Sequence, residues 1–269
     1  MHDAKTQRLI DAIEQNQSWF LIALGRAGGG EERSDAGLLW TIGGSPIDYH
    51  NCVVRADLTP ETANAAIQES ILIMDAHGVA GSWHVGPSMR PADLPQRLLA
   101  HGFIDGGTEP GMAMDLRMLG DDPPAPPDLA ITTVESDEDL DVWTETLARG
   151  FGAGPQEGRW VGEMYRRIGL DKSSSMRHYL GRLAGQPVAT ATAFYGVGSV
   201  GLYFIFTVSE ARRRGIGAAI THAALSDAYR AGYRVAVLCS SDMGRSVYRR
   251  LGFVEYCSIR LYEWRRKST

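Results

Sequence analysis

An apolar, β-like run, Leu202-Tyr-Phe-Ile-Phe-Thr-Val208, breaks at Arg212-Arg213-Arg214-Gly215-Ile216-Gly217. The chain then passes into Ala218-Ala-Ile-Thr-His-Ala-Ala-Leu225, which reads as a helix. A strand that ends in a glycine-bearing turn at a helix start constrains both fold and chemistry. The first N–H groups of a helix have no partner within it, and its dipole adds positive potential there. Glycines at 215 and 217 leave room for backbone to approach an anion, and the arginines add directed donors. The pattern predicts a site for a phosphorylated ligand. An exposed basic turn before an ordinary helix is the plainer alternative, and the position between strand and helix weakens it.

A proline-rich stretch, Gly120-Asp-Asp-Pro-Pro-Ala-Pro-Pro-Asp128, divides the 269 residues into comparable halves. Four prolines among acidic residues favour a stiff extended connector. The expected division is 1–120, a linker at 121–128, and 129–269. A net charge of -5 offers no field for nucleic acid. The run Arg265-Arg-Lys267 reads as a solvated tail. Cys52, Cys239 and Cys257 are scattered, form no CxxC pair and read as small core residues, so no metal is expected. With no apolar leader and no run long enough to span a bilayer, the expectation is a cytoplasmic protein without membrane contact.

The second half alternates elements. Leu129–Val134 reads as a strand. Ser136 caps a helix whose apolar side runs Trp143, Leu147, Phe151. Positions 160–168 read as another helix. Segments 179–183 and 188–195 form a hairpin turning at Gly185-Gln186. Strand 200–208, helix 216–231, strand 234–239, helix 243–250 and a last strand within 254–264 follow.

This order and two motifs within it resemble the GNAT superfamily of N-acetyltransferases. Arg212-x-x-Gly215-x-Gly217 is similar to the superfamily's acyl-CoA signature. Ser241-Asp-Met-Gly244-Arg-Ser-Val-Tyr248-Arg-Arg-Leu-Gly252-Phe253 resembles its Asn-x-x-Ala-x-x-Leu-Tyr-x-x-x-Gly-Phe segment, with Ser241 for Asn and Gly244 for Ala. The likeness covers about residues 128–264. The first half reads as a worn copy. Leu94-Pro-Gln-Arg-Leu98-Leu-Ala-His-Gly102-Phe103, then Met112–Leu116, parallels the stretch from Gly244 to Leu261. Cys52–Leu58 stands as its strand, and Thr59-Pro60-Glu61 opens a helix to Gly78, with Ile67, Ile71 and Met74 facing the core. It lacks the glycine signature, and Leu98 replaces the tyrosine. Gly28-Gly-Gly30 reads as a loop. The fold class expected is α+β: two GNAT-like domains in tandem, each a mixed, mostly antiparallel sheet flanked by helices.

The resemblance implies an acetyl-CoA donor and a small-molecule amine acceptor, with no nucleic acid. It implies strands that splay at 202–208 and 235–240 to admit the donor. Its pantetheine arm is expected on backbone near Phe206 and Val208, and its pyrophosphate on Arg213, Arg214, Gly215, Ile216, Gly217 and Ala218. Arg212 and Ser241 complete the donor site. A backbone N–H near Phe206 polarises the thioester carbonyl. Tyr248 is the expected proton donor to the leaving thiolate. Phe151, Trp160, Tyr165 and Tyr203 are the expected acceptor wall, with helix-core packing the alternative for Trp160 and Tyr165. Strand 202–208 carries no carboxylate, so the base is left open among Glu157, Glu163, Glu255 and a water held by Tyr203. His178 and His222 read as structural or exposed. The rival expectation is an acyl-CoA-binding or regulatory protein without turnover.

Overall fold

The computed structural model describes residues 3–171 and 173–265. The tail expected at Arg265–Lys267 lies outside the described residues beyond Arg265. The chain divides into two compact units, 1–111 with 256–269, and 112–255. The boundaries differ from a simple cut at the proline stretch.

The first unit opens with α1 (Ala4–Gly28), a 25-residue helix capped by Asp3, whose side chain accepts from the N–H groups of Lys5 and Thr6. Gly29, at φ +76°, ends it. Strands β1 (Glu31–Ser34), β2 (Leu38–Ile42) and β3 (Cys52–Ala56) follow, then α2 (Pro60–His77), β4 (Gly81–Val85), α3 (Leu94–Ala100) and β5 (Ile104–Asp115). Of β5, residues 104–111 belong to the first unit and 112–115 to the second. Trp83, Ile67 and Met74 lie in the first unit's core, and the indole N–H of Trp83 donates to Ser70 at 3.1 Å.

In the second unit come β6 (Leu129–Thr133), α4 (Asp137–Ala148), α5 (Pro155–Ile168), β7 (Met176–Leu183), β8 (Gln186–Tyr195), β9 (Val200–Thr207), α6 (Ile216–Arg230), β10 (Val235–Cys239) and α7 (Asp242–Leu251). The last strand, β11 (Val254–Trp264), belongs from Tyr256 onward to the first unit. Ser136 caps α4 by accepting from Asp139 N at 3.1 Å, a contact worth about 1 kcal/mol. Helix α4 stops at Ala148, so Phe151 stands in the following loop and not on the helix. The hairpin turns at Ala184 (φ 47°) and Gly185 (φ 79°), one residue earlier than expected.

Both units are α+β in character, and the strand pairs within each are mostly antiparallel. The strand order is β1-β2-β3-β4-β11-β5 in the first unit and β5-β10-β9-β8-β7-β6 in the second. Each unit contains a parallel pair of the same form. In the first, Cys52 and Val53 pair with Ser82 and Trp83. In the second, Val200 and Gly201 pair with Ala236 and Val237. Beyond these residues the partners separate. The surroundings of the separated strand differ between the units. In the first unit the chain itself lies there. Arg90 N donates to Ala56 O at 2.9 Å, Leu58 N donates to Arg90 O at 3.4 Å, and Asp57 bridges Arg90 in parallel. Glu14 holds this segment by accepting from Ser88 N at 3.1 Å and from the Ser88 hydroxyl. None of the described helices is long and apolar enough to cross a membrane.

Candidate active site

In the second unit the space beside β9 is a cleft of about 480 Å³. Its walls are Ile205 and Thr207 of β9, the loop and first turn of α6, and the inner face of α7. Strand β9 carries one extra residue against β8: Thr192 lies opposite Tyr203, while Thr190 lies opposite Phe206. Phe204 takes up the excess at φ 48°, in the left-handed region. The buried Thr190 hydroxyl donates to its carbonyl at 2.9 Å. Such a bulge bends a strand and re-aims the residues after it.

The bulge and the register settle which peptide groups face the cleft. Val208 N donates to Val188 O at 2.9 Å, and Val208 O accepts from Ala211 N. Peptide directions alternate along an antiparallel pair, so Phe206, two residues earlier, also turns toward β8. The groups turned to the cleft are those of Ile205 and Thr207. The sequence expectation of Phe206 and Val208 is therefore one residue out of phase. The Phe206 side chain is buried against Phe151, with ring centroids 6.3 Å apart.

The loop after β9 is built for an anion. Arg213 (φ 61°) and Gly215 (φ 83°) are both left-handed and curl the backbone before α6. Gly215 is the N-cap, and no side chain caps the helix. The N–H groups of the first turn, from Ile216 to Ala218, are left for a ligand. A Cβ on Gly217 would meet only Thr207 Oγ1, at 3.5 Å, so the floor of the loop is open. Gly215 has another reason to be glycine. Besides its positive φ, a Cβ there would come within 2.2 Å of the Pro124 carbonyl. The proline linker lies against α6, where His222 also contacts Gly120 O (2.9 Å) and Asp122 (3.0 Å). Arg212 is turned inward, donating from Nε to Thr207 O at 3.0 Å.

On the other wall, Ser241 caps α7 through Gly244 N at 3.3 Å. The ring of Tyr248 lies on Gly244. A Cβ at 244 would be 2.7 Å from that ring, which explains glycine there. Tyr248 is 8% exposed and lines the cleft. Burial raises its phenol above the usual range.

Phe151, Trp160 and Tyr203 do not line this cleft. Phe151 packs on Phe204 at 5.2 Å, and Trp160 is buried in α5. Tyr203 is close enough to Cys239 of β10 and to Tyr165 for both to act on its hydroxyl, which burial raises well above the usual range. Under β9 the structure brings together Trp143, Tyr165, His178 and Phe204, a grouping the sequence did not reveal. Tyr165 stacks on His178 at 3.8 Å, and burial pushes the imidazole down to about 3. The three carboxylates left open as bases separate here. Glu163 pairs with Arg167 on the surface. Glu255 is shared by Arg245 and Arg249, and the Arg245 hydrogen bond holds it below the usual carboxylate range. Glu157 alone is fully buried; it accepts from Ala153 N at 2.9 Å and lies close enough to Tyr165 to disfavour its ionisation.

Residues 161–263 match the family model described as an acetyltransferase (GNAT) domain. None of the curated proteins matches the chain. Among solved structures, a GCN5-related N-acetyltransferase from Kribbella flavida is 20% identical with a TM-score of 0.69, over 93% of this chain and 96% of that one. A GCN5-related N-acetyltransferase from Sphaerobacter thermophilus is 18% identical with a TM-score of 0.66, over 94% and 92%. A tandem GNAT protein from the clavulanic acid biosynthesis pathway is 14% identical with a TM-score of 0.60, over 86% and 79%. At these identities the structural likeness is one of fold. The match to the acetyltransferase (GNAT) family model extends over residues 161–263, which include β9, the loop at Gly215 and α7.

Proposed function

We propose that the chain is an acetyl-CoA-dependent N-acetyltransferase acting on the amine of a small molecule, with 129–269 as its catalytic half and 1–120 as a degenerate copy. One observation carries this reading: an uncapped helix N-terminus at Gly215 and the buried Tyr248 share one cleft beside β9. The residues fit the donor. A diphosphate finds the N–H groups of 216–218 with Arg213 beside them, and an extended arm finds the peptide groups of Ile205 and Thr207. The donor supplies a thioester at the inner end of the cleft.

The chain contributes alignment and proton management. Burial keeps Tyr248 protonated through neutral pH, the state needed to hydrogen-bond the departing sulfur and deliver a proton there. Glu157 is the carboxylate we assign as terminal proton acceptor, reached from the splay by way of Tyr203 and Tyr165. Phe151 and Trp160, on the loop and helix that cover β9, are assigned to the acceptor wall; aromatic faces suit an amine's cationic form before it is deprotonated.

Titration with acetyl-CoA, wild type beside Gly217→Glu, tests the donor site. A carboxylate placed among the loop amides should cost several kcal/mol, weakening binding by more than about a hundredfold, with the fold intact because 217 is open. Unchanged binding in the variant would sink the donor assignment. An amine panel with the wild type then tests turnover.

A further inference from the structure

We infer that Arg250 reads the ribose 3′-phosphate of the donor, so that the cleft distinguishes CoA thioesters from their dephospho forms; this rests on the acyl-CoA reading above. The argument begins with charge pairing. Several arginines of the second unit have carboxylate partners, Arg149 with Glu210, Arg166 with Asp137 and Asp141, Arg182 with Asp139, Arg230 with Asp227; of those without one, Arg159, Arg177, Arg214 and Arg234 do not line the cleft and Arg212 is engaged with Thr207 O. On α7 itself, Glu255 takes both Arg245 and Arg249. Arg250 is left out. Among the described residues it has no ion pair, and the same holds for Arg213. These two line the same cleft from different walls, Arg213 on the α6 loop and Arg250 in the last turn of α7.

Helical spacing puts Met243, Val247 and Arg250 on one side of α7, and all three line the cleft. Unpaired cations on two walls of one cleft repel each other until an anion enters. The α6 N-terminus already provides backbone donors and a favourable dipole for the diphosphate. The α7 end offers neither. Its last carbonyls carry partial negative charge, and Gly252 N and Phe253 N are used on Arg249 O and Tyr248 O. An anion held there depends on the Arg250 guanidinium. A CoA thioester carries one more anionic group than its diphosphate: a monoester, separated from it by a ribose, with a charge of about −1.5 to −2 at neutral pH. Guanidinium is the side chain whose fork matches such a group.

The test uses two ligands on one variant. Acetyl-CoA and acetyl-dephospho-CoA are titrated into the wild type and Arg250→Gln. Arg250 is exposed, so the substitution removes charge without opening the core. The expected result is that the wild type prefers acetyl-CoA by about tenfold, that Arg250→Gln loses about that factor for acetyl-CoA, and that acetyl-dephospho-CoA binds both proteins alike. Equal losses for both ligands would move Arg250 to the diphosphate and overturn the assignment. Unchanged affinity for acetyl-CoA would overturn it as well. A wild type that binds neither ligand would overturn the acyl-CoA reading itself, a result separate from the first two.

Discussion

At the scale of single residues, Tyr248 and Gly244 form a unit. The ring rests where any Cβ at 244 would stand, with 2.7 Å between them, and Phe253 closes its edge at 6.0 Å. Tyr248→Phe keeps this packing and removes only the hydroxyl. Steady-state kinetics should show kcat reduced by roughly 10²–10⁴-fold, the range for loss of a positioned proton donor, with acetyl-CoA affinity nearly unchanged. A parallel fall in affinity would make the hydroxyl a binding contact instead. Gly244→Ala tests the seat. Alanine favours a helix by up to about 1 kcal/mol over glycine, yet the methyl group pushes the phenol aside. The expected outcome is a lower kcat without a lower melting temperature, a combination that simple destabilisation does not produce. The tyrosine was legible from its place before Gly252-Phe253. The reason for glycine at 244 was not, because it depends on a rotamer and not on spacing.

At the scale of elements, the strand–loop–helix of the donor site was legible because its determinants are local. The apolar run, the glycines and the helix period all lie within one short stretch. The cap at Ser136 and the Thr59-Pro60 start of α2 are of the same kind. The direction of the strand's peptide groups was not legible. It is set by pairing with β8 and by the bulge at Phe204, and a shift of one residue reverses every direction. Helix α1 was not legible either, although Asp3 and Gly29 mark its ends; its apolar positions at Ile10, Ile13, Phe20 and Leu24 are diluted by polar neighbours. The linker's seat on α6 is another non-local feature. Gly215→Ala should therefore do more than strain a turn. A positive φ costs roughly 1–2 kcal/mol for a side-chain-bearing residue, and the clash with Pro124 O adds to it. Thermal unfolding should shift down by several degrees, whereas Gly217→Ala should leave the melting temperature close to that of the wild type. Equal effects at the two positions would mean that the linker does not rest on Gly215 in solution.

At the scale of the molecule, buried imidazoles set the acid limit of stability. Burial pushes His50 down to about 3, His84 to about 4 and His178 to about 3. Each binds fewer protons folded than unfolded between its folded value and about 6.5, so stability falls as pH drops through that window. At pH 5 the loss is about 2 kcal/mol per imidazole, partly offset by Glu14, whose carboxyl burial raises. The melting temperature should fall between pH 7 and pH 5, and His50→Gln should flatten that slope whatever it does to the plateau. The same scale decides how many donors one chain takes. Both units contain a parallel pair that separates after two residues; beside the separated strand lies a cleft of about 480 Å³ in the second and a smaller one of about 200 Å³, walled by Ser88 and Met89, in the first. In the first, Arg90 bonds to Ala56 and Leu58 as an added strand, a Thr59–Thr62 capping box closes the start of α2, Pro60 removes one N–H, and Glu61 puts negative charge where an anion would sit. No single residue in 86–91 announces this, since the pairing joins segments far apart in sequence. The expected stoichiometry is one acetyl-CoA per chain by calorimetry, with none bound to Gly217→Glu at the same concentrations. Amide exchange gives a second reading: the N–H groups of Leu58 and Arg90 should be equally protected with and without ligand, while those of 216–218 should slow on binding. Two sites in the wild type, or one surviving in Gly217→Glu, would show that the segment at Ser88–Arg90 can leave its strand and that the first unit is a working donor site.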